Sequence, residues 1–460
     1  MSDAVRLELD DIQGDILRAY GNAYDCTSYV FARVGDATRA RAWLGALAER
    51  VTTAAPWADG KPQLTTNVAL SAAGLRAVGV SEAALATFAP EFLDGMAARC
   101  ELLGDVGASA PGTWDAGLAG DGRHVLVTLN ALEPDRMERA LSELRAELAA
   151  GGLDVAFEQP AALLPGAREH FGYADGFAQP AVAGVSDHKA RGGGVPEKDG
   201  RWRSLAAGEF VLGYPDEDTL VDRRRGLPPA PAAPLGPNGT YMVWRKLHQD
   251  VALWRRTLRA AAARYRDGDE VRLAAKVVGR WPDGTPLVTH PDAPDPAFDP
   301  AARGANDFRY GADRDGARCP LGAHIRRSNP RDALDPDGHQ AFRHRMIRRG
   351  MPYGPPLPEG VLDDDGAERG LCFVSYQASI ARQFEGVQVP WLNDGNIFGL
   401  GHDRDFLLGE PAGRGGKMTI HGGVPFFLGP QGPFVRTRGG EYLFVPGVRG
   451  LAAIADGVAG

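Results

Sequence analysis

The sequence predicts an α+β protein made of two similar halves, each an antiparallel sheet with helices packed on it. Two observations lead to this fold class. In the first half of the chain, segments rich in β-forming residues alternate with amphipathic helical segments. A weak internal repeat then relates the halves, because a strand followed by a Trp-containing helix begins at 28 and again at 240.

The elements of the first half follow in chain order from their periodicity. Strands are predicted where β-branched and aromatic residues concentrate, at 28–34, 66–72, 123–131 and 153–159. Helices are predicted where apolar residues recur at helical spacing, at 36–54, 81–99 and 133–150. Pro90 should break the second of these helices, because proline lacks the N–H that an interior helical residue donates.

The two halves meet at a run rich in proline and glycine. This run, RRRGLPPAPAAPLGPNG at 223–239, predicts a linker or long loop, so we assign residues 1–222 to the first half and 240–460 to the second. The repeat agrees with this division, since a Trp follows the strand Tyr by 14 residues in one half (29 to 43) and by 13 in the other (241 to 254). Further strands are predicted at 344–350 and 370–377.

Composition and charge exclude several classes of protein. The 460 residues carry a net charge of −8 without a long basic run, so nucleic acid is not an expected partner. No run of about 18 apolar residues occurs, which argues against a membrane-spanning helix. The start lacks a secretory or twin-arginine signal, and the four cysteines form neither a CxxC pair nor a CxxCH haem-attachment site. We therefore expect a cytoplasmic protein with free thiols.

A single carboxylate lies in the apolar turn FGYADGFAQP at 171–180. Asp175 stands between Gly172 and Gly176, with aromatic residues on both sides. Glycine allows backbone angles and close approaches that other residues resist, so this turn can present Asp175 to a bulky ligand lying against the backbone. The alternative is an ordinary Gly-Asp-Gly surface turn.

Two further stretches contain side chains suited to binding iron or an anion. In CPLGAHIRRSNPRD (319–332), His324 precedes three arginines; a neutral imidazole can ligate iron, and guanidinium groups can pair with carboxylates. The alternative is a structural histidine beside a solvated basic loop. In RHRMIRRGMPYG (343–354), Arg348 and Arg349 point to opposite faces of the predicted strand, so one can face a buried site while the other meets solvent. The alternative is a pair of surface arginines.

Together these stretches resemble, in order and approximate spacing, the motifs of the dye-decolourising peroxidase (DyP-type haem peroxidase) family. GYADG matches the GxxDG signature of that family, and AHIRRSNPRD, RMIRRGMPYG and GLCFVSYQASIARQFEGVQ (370–388) match its later motifs. LDDIQGDILRAYGN (9–22) resembles the opening of the longer, fungal-like and actinobacterial members. GxxDG alone is a weak signal, whereas the ordered set is specific and covers nearly the whole chain.

The resemblance implies an architecture, a cofactor and a reaction. The architecture is two ferredoxin-like halves with antiparallel sheets, of the dimeric α+β barrel type. The cofactor is one noncovalent haem b per chain, held chiefly by the second half, and the absence of CxxCH agrees with noncovalent attachment. The reaction reduces hydrogen peroxide and oxidises dyes, phenolic compounds or Mn(II) through ferryl intermediates. The alternative is a protein that handles haem or releases its iron and shows incidental peroxidase activity, and the oligomeric state, monomer or homo-oligomer, stays open.

The resemblance also implies roles for individual residues. His324 resembles the proximal iron ligand, Asp175 the distal acid and Arg348 the distal arginine. The remaining residues implied at the haem are the signature Gly172, the propionate partner Arg326, the apolar Leu371 and Phe373 over the distal pocket, and Asp405, with Asp403 as its alternative, as the carboxylate that orients the proximal histidine. Electrons from large dyes would travel through surface aromatic residues, for which the candidates, unless they only pack, are Tyr353, Tyr376 and Trp391.

Overall fold

The computed structural model describes residues 6–18, 20, 24–120, 122–401, 403–409, 416–422 and 424–457. Within these residues the strands are β1 (Cys26–Val34), β2 (Leu64–Leu70), β3 (Val125–Ala131), β4 (Leu153–Ala162), β5 (Val195–Pro196), β6 (Trp202–Arg203), β7 (Thr240–Gln249), β8 (Ile347–Arg348), β9 (Met351–Tyr353), β10 (Gly370–Gln377), β11 (Gly416–Ile420), β12 (Phe426–Gln431) and β13 (Val435–Val445). The α-helices are α1 (Gly14–Leu17), α2 (Ala37–Ala48), α3 (Ala72–Ala77), α4 (Glu82–Leu85), α5 (Pro90–Asp94), α6 (Cys100–Leu103), α7 (Pro134–Ala150), α8 (Ala190–Gly193), α9 (Glu217–Val221), α10 (Val251–Ala262), α11 (Glu270–Val278), α12 (His324–Ser328), α13 (His339–Arg343) and α14 (Val448–Ala455).

Nine of the strands form one antiparallel sheet, in the order β4-β1-β3-β2-β13-β7-β10-β8, with β9 also paired to β10. In the first half the fourth strand lies beside the first, then the third, then the second. The second half repeats this order, with β13, β7, β10 and then the short strands β8 and β9. This is the ferredoxin-like arrangement in both halves, so the predicted α+β fold is confirmed.

The internal repeat appears in the structure as two equivalent strand-to-helix corners. Asp36 caps α2 by accepting hydrogen bonds from the N–H groups of the first turn, and Asp250 caps α10 in the same way. The apolar face of α2 is buried, and Trp43 in α2 and Trp254 in α10 both lie in cores. Matching caps and matching aromatic residues explain why the repeat is visible in the sequence.

The sheet curls so that strands distant in the hydrogen-bonded order meet across its inner face. The ring of Trp244 in β7 packs edge-on against Phe31 in β1, with ring centroids 4.9 Å apart, and also contacts Tyr29 and Phe157. The outer face packs on α2, α7 and α14 in a second apolar core. Closure around Trp244 gives the molecule its barrel character.

Within the sheet, the two halves are paired at one position. Leu70 of β2 and Phe444 of β13 are the Cα partners that connect the four strands of the first half to the five strands of the second. The buried side chain of Gln13 reinforces this junction: its Nε2 donates to the carbonyls of Val68 (2.9 Å) and Pro446 (3.0 Å), and its Oε1 accepts from the N–H of Val68 (2.9 Å). Gln13 thus binds both edges of the joint at once.

Some predicted elements differ from those observed. The helix expected at 81–99 is interrupted, and α5 begins at Pro90, which as a first helical residue has no N–H bond to lose. The strand expected at 344–350 contains only β8, because α13 ends just before it, with His344 as its C-terminal cap. Gly350 follows β8, where a Cβ would lie 2.6 Å from the carbonyl oxygen of Cys372. Residues 223–239 contain one short 3₁₀ turn and are otherwise without helix or strand, while the limits of the two halves stay a prediction. Across the described ranges we find no helix with the length and apolar character needed to span a bilayer.

Candidate active site

One cavity of about 350 Å³, with a mostly apolar wall, brings together most of the predicted site residues. Its wall comes from the loop at 169–178, β7, the end of α11, α12, β8 and β10. Asp175, Arg348 and His324 all line it, as do Leu371 and Phe373, which alternate with Cys372 along β10 and therefore share one face. The volume is in the range of ligand-binding pockets.

The loop that carries Asp175 is wound around the carboxylate of Glu169. This carboxylate accepts hydrogen bonds from the N–H groups of Phe171 (2.8 Å) and Tyr173 (2.9 Å), and from Gln249 Nε2 in β7 (2.6 Å). Burial raises the pKa of Glu169, while these donors oppose that shift by favouring its charged form. Glu169 therefore connects the loop to the central sheet.

Gly172 does not line this cavity. It adopts φ +99°, and a Cβ built on it would meet nothing within 4 Å. The left-handed backbone conformation accounts for a glycine at this position, and the contact of Gly172 with haem stays a prediction. Gly176, with φ +84°, has the more direct role, since its N–H donates to Asp175 Oδ1 at 2.6 Å.

Asp175 and Arg348 form a pair at the cavity wall. Arg348 Nη1 lies 3.3 Å from Asp175 Oδ1, and the Arg348 backbone N–H donates to Gln179 Oε1 at 3.0 Å. Burial on its own would raise the pKa of Asp175, but Arg348 and the N–H of Gly176 outweigh it and hold this pKa below its ordinary value. The carboxylate is therefore ionised beside a permanent positive charge.

Arg349 points away from Arg348, as expected for neighbours on a strand, but it is half-buried and hydrogen-bonded to another element. Its guanidinium donates to the backbone carbonyls of Asp15 (3.1 Å) and Ile16 (3.2 Å) in α1. Burial lowers the pKa of Arg349 to about 10. This arginine therefore attaches the first helix to the strand that carries Arg348.

His324 is the first residue of α12 and is held by Asp405. His324 Nδ1 lies 3.0 Å from Asp405 Oδ2, and Asp405 is fully buried (0% exposed) and accepts the N–H of Leu407 at 3.0 Å. Since an ionised carboxylate only accepts, Nδ1 carries the proton and the lone pair of a neutral ring is on Nε2. Asp403, the alternative considered from the sequence, instead pairs with Lys417 at 3.2 Å.

Arg326 is not brought to the cavity. Its guanidinium donates to the Asp313 carboxylate (3.0 Å) and the Cys319 carbonyl (2.6 Å), and it stacks on the ring of Tyr310. Arg326 is two residues after His324 in a helix, and residues at that spacing do not share a face. The structure thus assigns Arg326 to packing beneath α12, and its contact with a propionate stays a prediction.

Two other arginines, Arg331 and Arg345, line the cavity instead. From the sequence, no role was assigned to either of them. Arg331 donates to the carbonyls of Asn306 and Phe308. Burial, together with Arg331 and Arg348, lowers the pKa of Arg345 to about 9, and among the described residues no carboxylate pairs with it. Arg331 and Arg345 lie inside motifs quoted from the sequence, but only the fold shows that they share one cavity.

The aromatic residues considered for electron transfer are all buried. Tyr353, Tyr376 and Trp391 are 3%, 1% and 2% exposed, so none of them is a surface residue. The Tyr376 hydroxyl donates to Asp15 Oδ2 at 2.5 Å. Trp391 stacks on His344, a cavity-lining residue, with ring centroids 4.5 Å apart. All three side chains are therefore placed as packing residues, which was the alternative to a role in electron transfer.

The cavity residues fit a flat iron–porphyrin that carries carboxylates. An imidazole nitrogen with a free lone pair is available from His324, and unpaired cationic charge is available from Arg345. The apolar side chains of Leu371 and Phe373 suit the faces of a macrocycle. Elsewhere in the described ranges there is no group of three or more His, Cys, Asp or Glu side chains placed to hold a metal ion.

Comparisons with known proteins agree with this fold and site. Residues 11–156 match the DyP dimeric alpha+beta barrel domain, and residues 232–397 match the Dyp-type peroxidase C-terminal model. A dye-decolorizing peroxidase of Mycena epipterygia is 30% identical over 489 residues, covering 98% of this chain and 87% of the relative. The crystal structure of a fungal DyP-type peroxidase from Auricularia auricula-judae is similar with a TM-score of 0.83 at 26% identity, covering 98% of this chain and 100% of that chain. A dye-decolorizing peroxidase in complex with 2,6-dimethoxyphenol is similar with a TM-score of 0.81 at 26% identity, again over 98% and 100% of the two chains.

The fold and the cavity define the class of the protein as a haem-dependent peroxidase built on an α+β barrel. The chain belongs to the dye-decolourising peroxidase (DyP-type) family, as its sequence motifs indicate. The peroxidase function expected from the resemblance is thereby confirmed, and the alternative of a haem-handling protein is not favoured.

Proposed function

We propose that this peroxidase binds one noncovalent haem b per chain in the cavity and uses hydrogen peroxide to oxidise small phenolic compounds and dyes. The observation that carries this proposal is the presence of His324, with Nε2 available, on the same cavity as the Asp175–Arg348 pair. A protein that only carries haem needs neither member of that pair. When bound, the haem supplies an iron atom that coordinates peroxide and accepts its two oxidising equivalents.

The haem is held by three side chains in this proposal. His324 Nε2 ligates the iron, and the Asp405 carboxylate orients the ring and increases its basicity through Nδ1. Arg331 and Arg345 pair with the propionates, which supply the anionic charge that Arg345 lacks among the described side chains.

Asp175 transfers a proton between the two oxygen atoms of hydrogen peroxide. Its carboxylate, ionised beside Arg348, accepts a proton from one oxygen of hydrogen peroxide and returns it to the other, which then leaves as water. Arg348 keeps its own proton and stabilises the negative charge that grows on the departing oxygen. The N–H of Gly176 keeps the carboxylate directed by binding Oδ1.

A phenolic reductant has the strongest support. A relative with the same fold has been solved with 2,6-dimethoxyphenol, and the mostly apolar cavity suits an aromatic ring. Oxidation of Mn(II) would need carboxylates near a propionate, and the described residues contain no group of three or more His, Cys, Asp or Glu side chains placed to hold a metal ion.

The haem assignment is tested by titrating the purified protein with haem and recording the Soret absorption. The wild-type protein should saturate at one haem per chain, and His324→Ala should bind haem roughly tenfold or more weakly with an altered spectrum. His188→Ala, which changes an exposed histidine away from the cavity, is the matched control. An unchanged spectrum and affinity in His324→Ala would contradict the assignment.

The substrate assignment is tested by steady-state turnover at a fixed peroxide concentration. We expect kcat/KM for 2,6-dimethoxyphenol to exceed that for Mn(II) by about tenfold or more, a difference of about 1.4 kcal/mol in transition-state stabilisation. Turnover of Mn(II) without turnover of the phenol would overturn the proposal.

A further inference from the structure

A second cavity, of about 220 Å³, lies on another part of the molecule and is lined chiefly by basic side chains. We call it the basic cavity. Its cationic lining residues are Arg266, Arg272, Lys276, Arg318 and, when protonated, His421. It shares no lining residue with the haem cavity, and α11 separates the two: Lys276 faces the basic cavity, whereas Val278 lines the other.

Lys276 is a buried ammonium group without an anionic partner. The residue is 5% exposed, and its Nζ donates to the backbone carbonyl of Arg318. Within the described part of the chain no carboxylate lies at ion-pair distance from it. Burial lowers the pKa of Lys276, and the neighbouring Arg272 and Arg266 lower it further. Buried charges in proteins are ordinarily paired, so this arrangement lacks an anion.

Other polar atoms around the basic cavity also lack partners. Arg272 Nε and His421 Nδ1 are buried and, within the described residues, accept or donate no hydrogen bond. The carboxylate on the wall, Asp292, is itself mostly exposed and already pairs with Arg272. Lys276, which has no carboxylate partner among the described residues, and two side chains that each have a nitrogen without a hydrogen-bond partner there thus line one small cavity, where an anion would supply acceptors.

We propose that the basic cavity is a binding site for an oxyanion group, such as a phosphate, sulfonate or carboxylate. The oxyanion accepts hydrogen bonds from Lys276 Nζ and Arg272 Nε and neutralises the charge that α11 presents there. Arg266 and Arg318, both exposed, attract the anion at the rim. The site is separate from the chemistry at His324 and does not depend on the reducing substrate proposed above.

The aromatic wall of the basic cavity leaves two sources for the oxyanion. Tyr265 and Phe426 pack edge-to-face with ring centroids 5.0 Å apart, and both line the cavity. The ligand is therefore either a free inorganic oxyanion or the anionic group of an aromatic molecule whose ring contacts this pair. Both carry the chemistry that Lys276 requires.

The test is isothermal titration of the haem-loaded, full-length protein with inorganic phosphate, against chloride at equal ionic strength. Wild-type protein should bind phosphate, and Lys276→Met should bind it at least tenfold more weakly, because the buried positive charge is removed while the volume is kept. Arg266→Gln, a change at the exposed rim that leaves the core intact, should also weaken binding. Arg303→Gln, which changes an exposed arginine outside the cavity, is the matched control and should bind like wild type. The proposal would be overturned if the wild-type protein did not bind phosphate. It would also be overturned if Lys276→Met and Arg266→Gln both bound phosphate as tightly as wild type.

A second titration distinguishes the two sources. Benzenesulfonate binding at least tenfold more tightly than sulfate, with that gain lost in Phe426→Leu, would assign the site to an anionic aromatic ligand. Equal binding of the two anions would assign it to a free oxyanion. If benzenesulfonate, sulfate and phosphate all failed to bind, the proposed oxyanion site would be overturned. We expect peroxidase turnover to be the same in every one of these cases.

Discussion

At the scale of single residues, the proposed chemistry depends on how Asp175 is kept ionised at the cavity wall. Burial disfavours its charged form, but Arg348 at 3.3 Å and the N–H of Gly176 at 2.6 Å stabilise that form more strongly. The pKa of Asp175 is therefore lowered. An acid held in this way can accept a proton even at low pH. The same arginine therefore serves both the base and the departing oxygen in the proposed mechanism.

The pH dependence of turnover should report this pairing. The active form of Asp175 is the carboxylate, so kcat/KM is lost as pH falls through its pKa, which lies below the ordinary aspartate value of about 3.9. In Arg348→Leu the burial remains and the positive charge is gone, so the pKa rises and the acidic limb should move to higher pH. The measurement is the pH profile of residual kcat/KM for hydrogen peroxide.

Arg303→Leu provides the control for that profile, since this arginine is exposed and does not line the cavity. Its acidic limb should coincide with that of wild type. Coincidence of the Arg348→Leu limb with wild type as well would show that Arg348 does not set the protonation of Asp175.

The sequence predicted most of the cavity residues individually, through motifs that keep their order and spacing. Asp175, Arg348, His324, Leu371 and Phe373 all line the cavity, and Asp405 contacts His324. Arg326 does not line the cavity, because its spacing from His324 in a five-residue helix turns it away, and its contact with a propionate stays a prediction. The contacts of Arg349 could not be predicted, because its partner Asp15 lies more than 300 positions away along the chain.

At the scale of elements, the loop that carries Asp175 owes its shape to one carboxylate that the sequence analysis did not single out. Glu169 accepts from two backbone N–H groups of its own loop and from Gln249 in β7. The sequence does contain a signal for this role, because an acidic residue stands six positions before Asp175 and precedes both glycines of the loop. Without an acceptor at Glu169, these donors would be buried and unsatisfied.

Glu169→Gln should therefore slow the reaction with peroxide while haem binding is kept. The amide offers one accepting oxygen in place of two, so one of the three donors loses its partner and the loop shifts. A hydrogen bond to a charged group contributes about 1.5–3 kcal/mol, which corresponds to a decrease of roughly tenfold or more in the rate constant. The measurement is the second-order rate constant for peroxide together with a haem titration of the same sample.

Glu197→Gln, at an exposed position, is the control for this change. If Glu169→Gln reacted with peroxide at the wild-type rate, Glu169 would not position Asp175. If it lost haem altogether, its role would be to maintain the pocket as a whole.

At the scale of the whole molecule, two ferredoxin-like halves form one continuous sheet whose joint is narrow. The pair Leu70–Phe444 connects the halves, and Gln13 hydrogen-bonds to both sides of this joint. The fold class of each half could be predicted from strand and helix patterns. The joint between the halves could not be predicted in this way. It depends on the pair Leu70–Phe444 and on Gln13, which lies outside the repeated strand–helix pattern.

Gln13→Ala should destabilise the protein by at least about 2 kcal/mol. The variant leaves the N–H and carbonyl of Val68 and the carbonyl of Pro446 without their side-chain partner at a buried site. The measurement is the midpoint of denaturant unfolding for the haem-loaded protein, with Gln340→Ala, an exposed glutamine, as control. Equal midpoints for the two variants would show that Gln13 does not hold the joint.

The most direct test of the central claim, that Asp175 and Arg348 act on peroxide beside the haem held by His324, is stopped-flow absorption. Haem-loaded wild type, Asp175→Asn and Arg348→Leu would each be mixed with one equivalent of hydrogen peroxide while the Soret band is followed. The account predicts a shift of the band within milliseconds in wild type, slowed by roughly a hundredfold or more when either residue is changed. Wild-type kinetics in both variants would contradict it, and the cavity would then hold haem without the proposed acid–base pair.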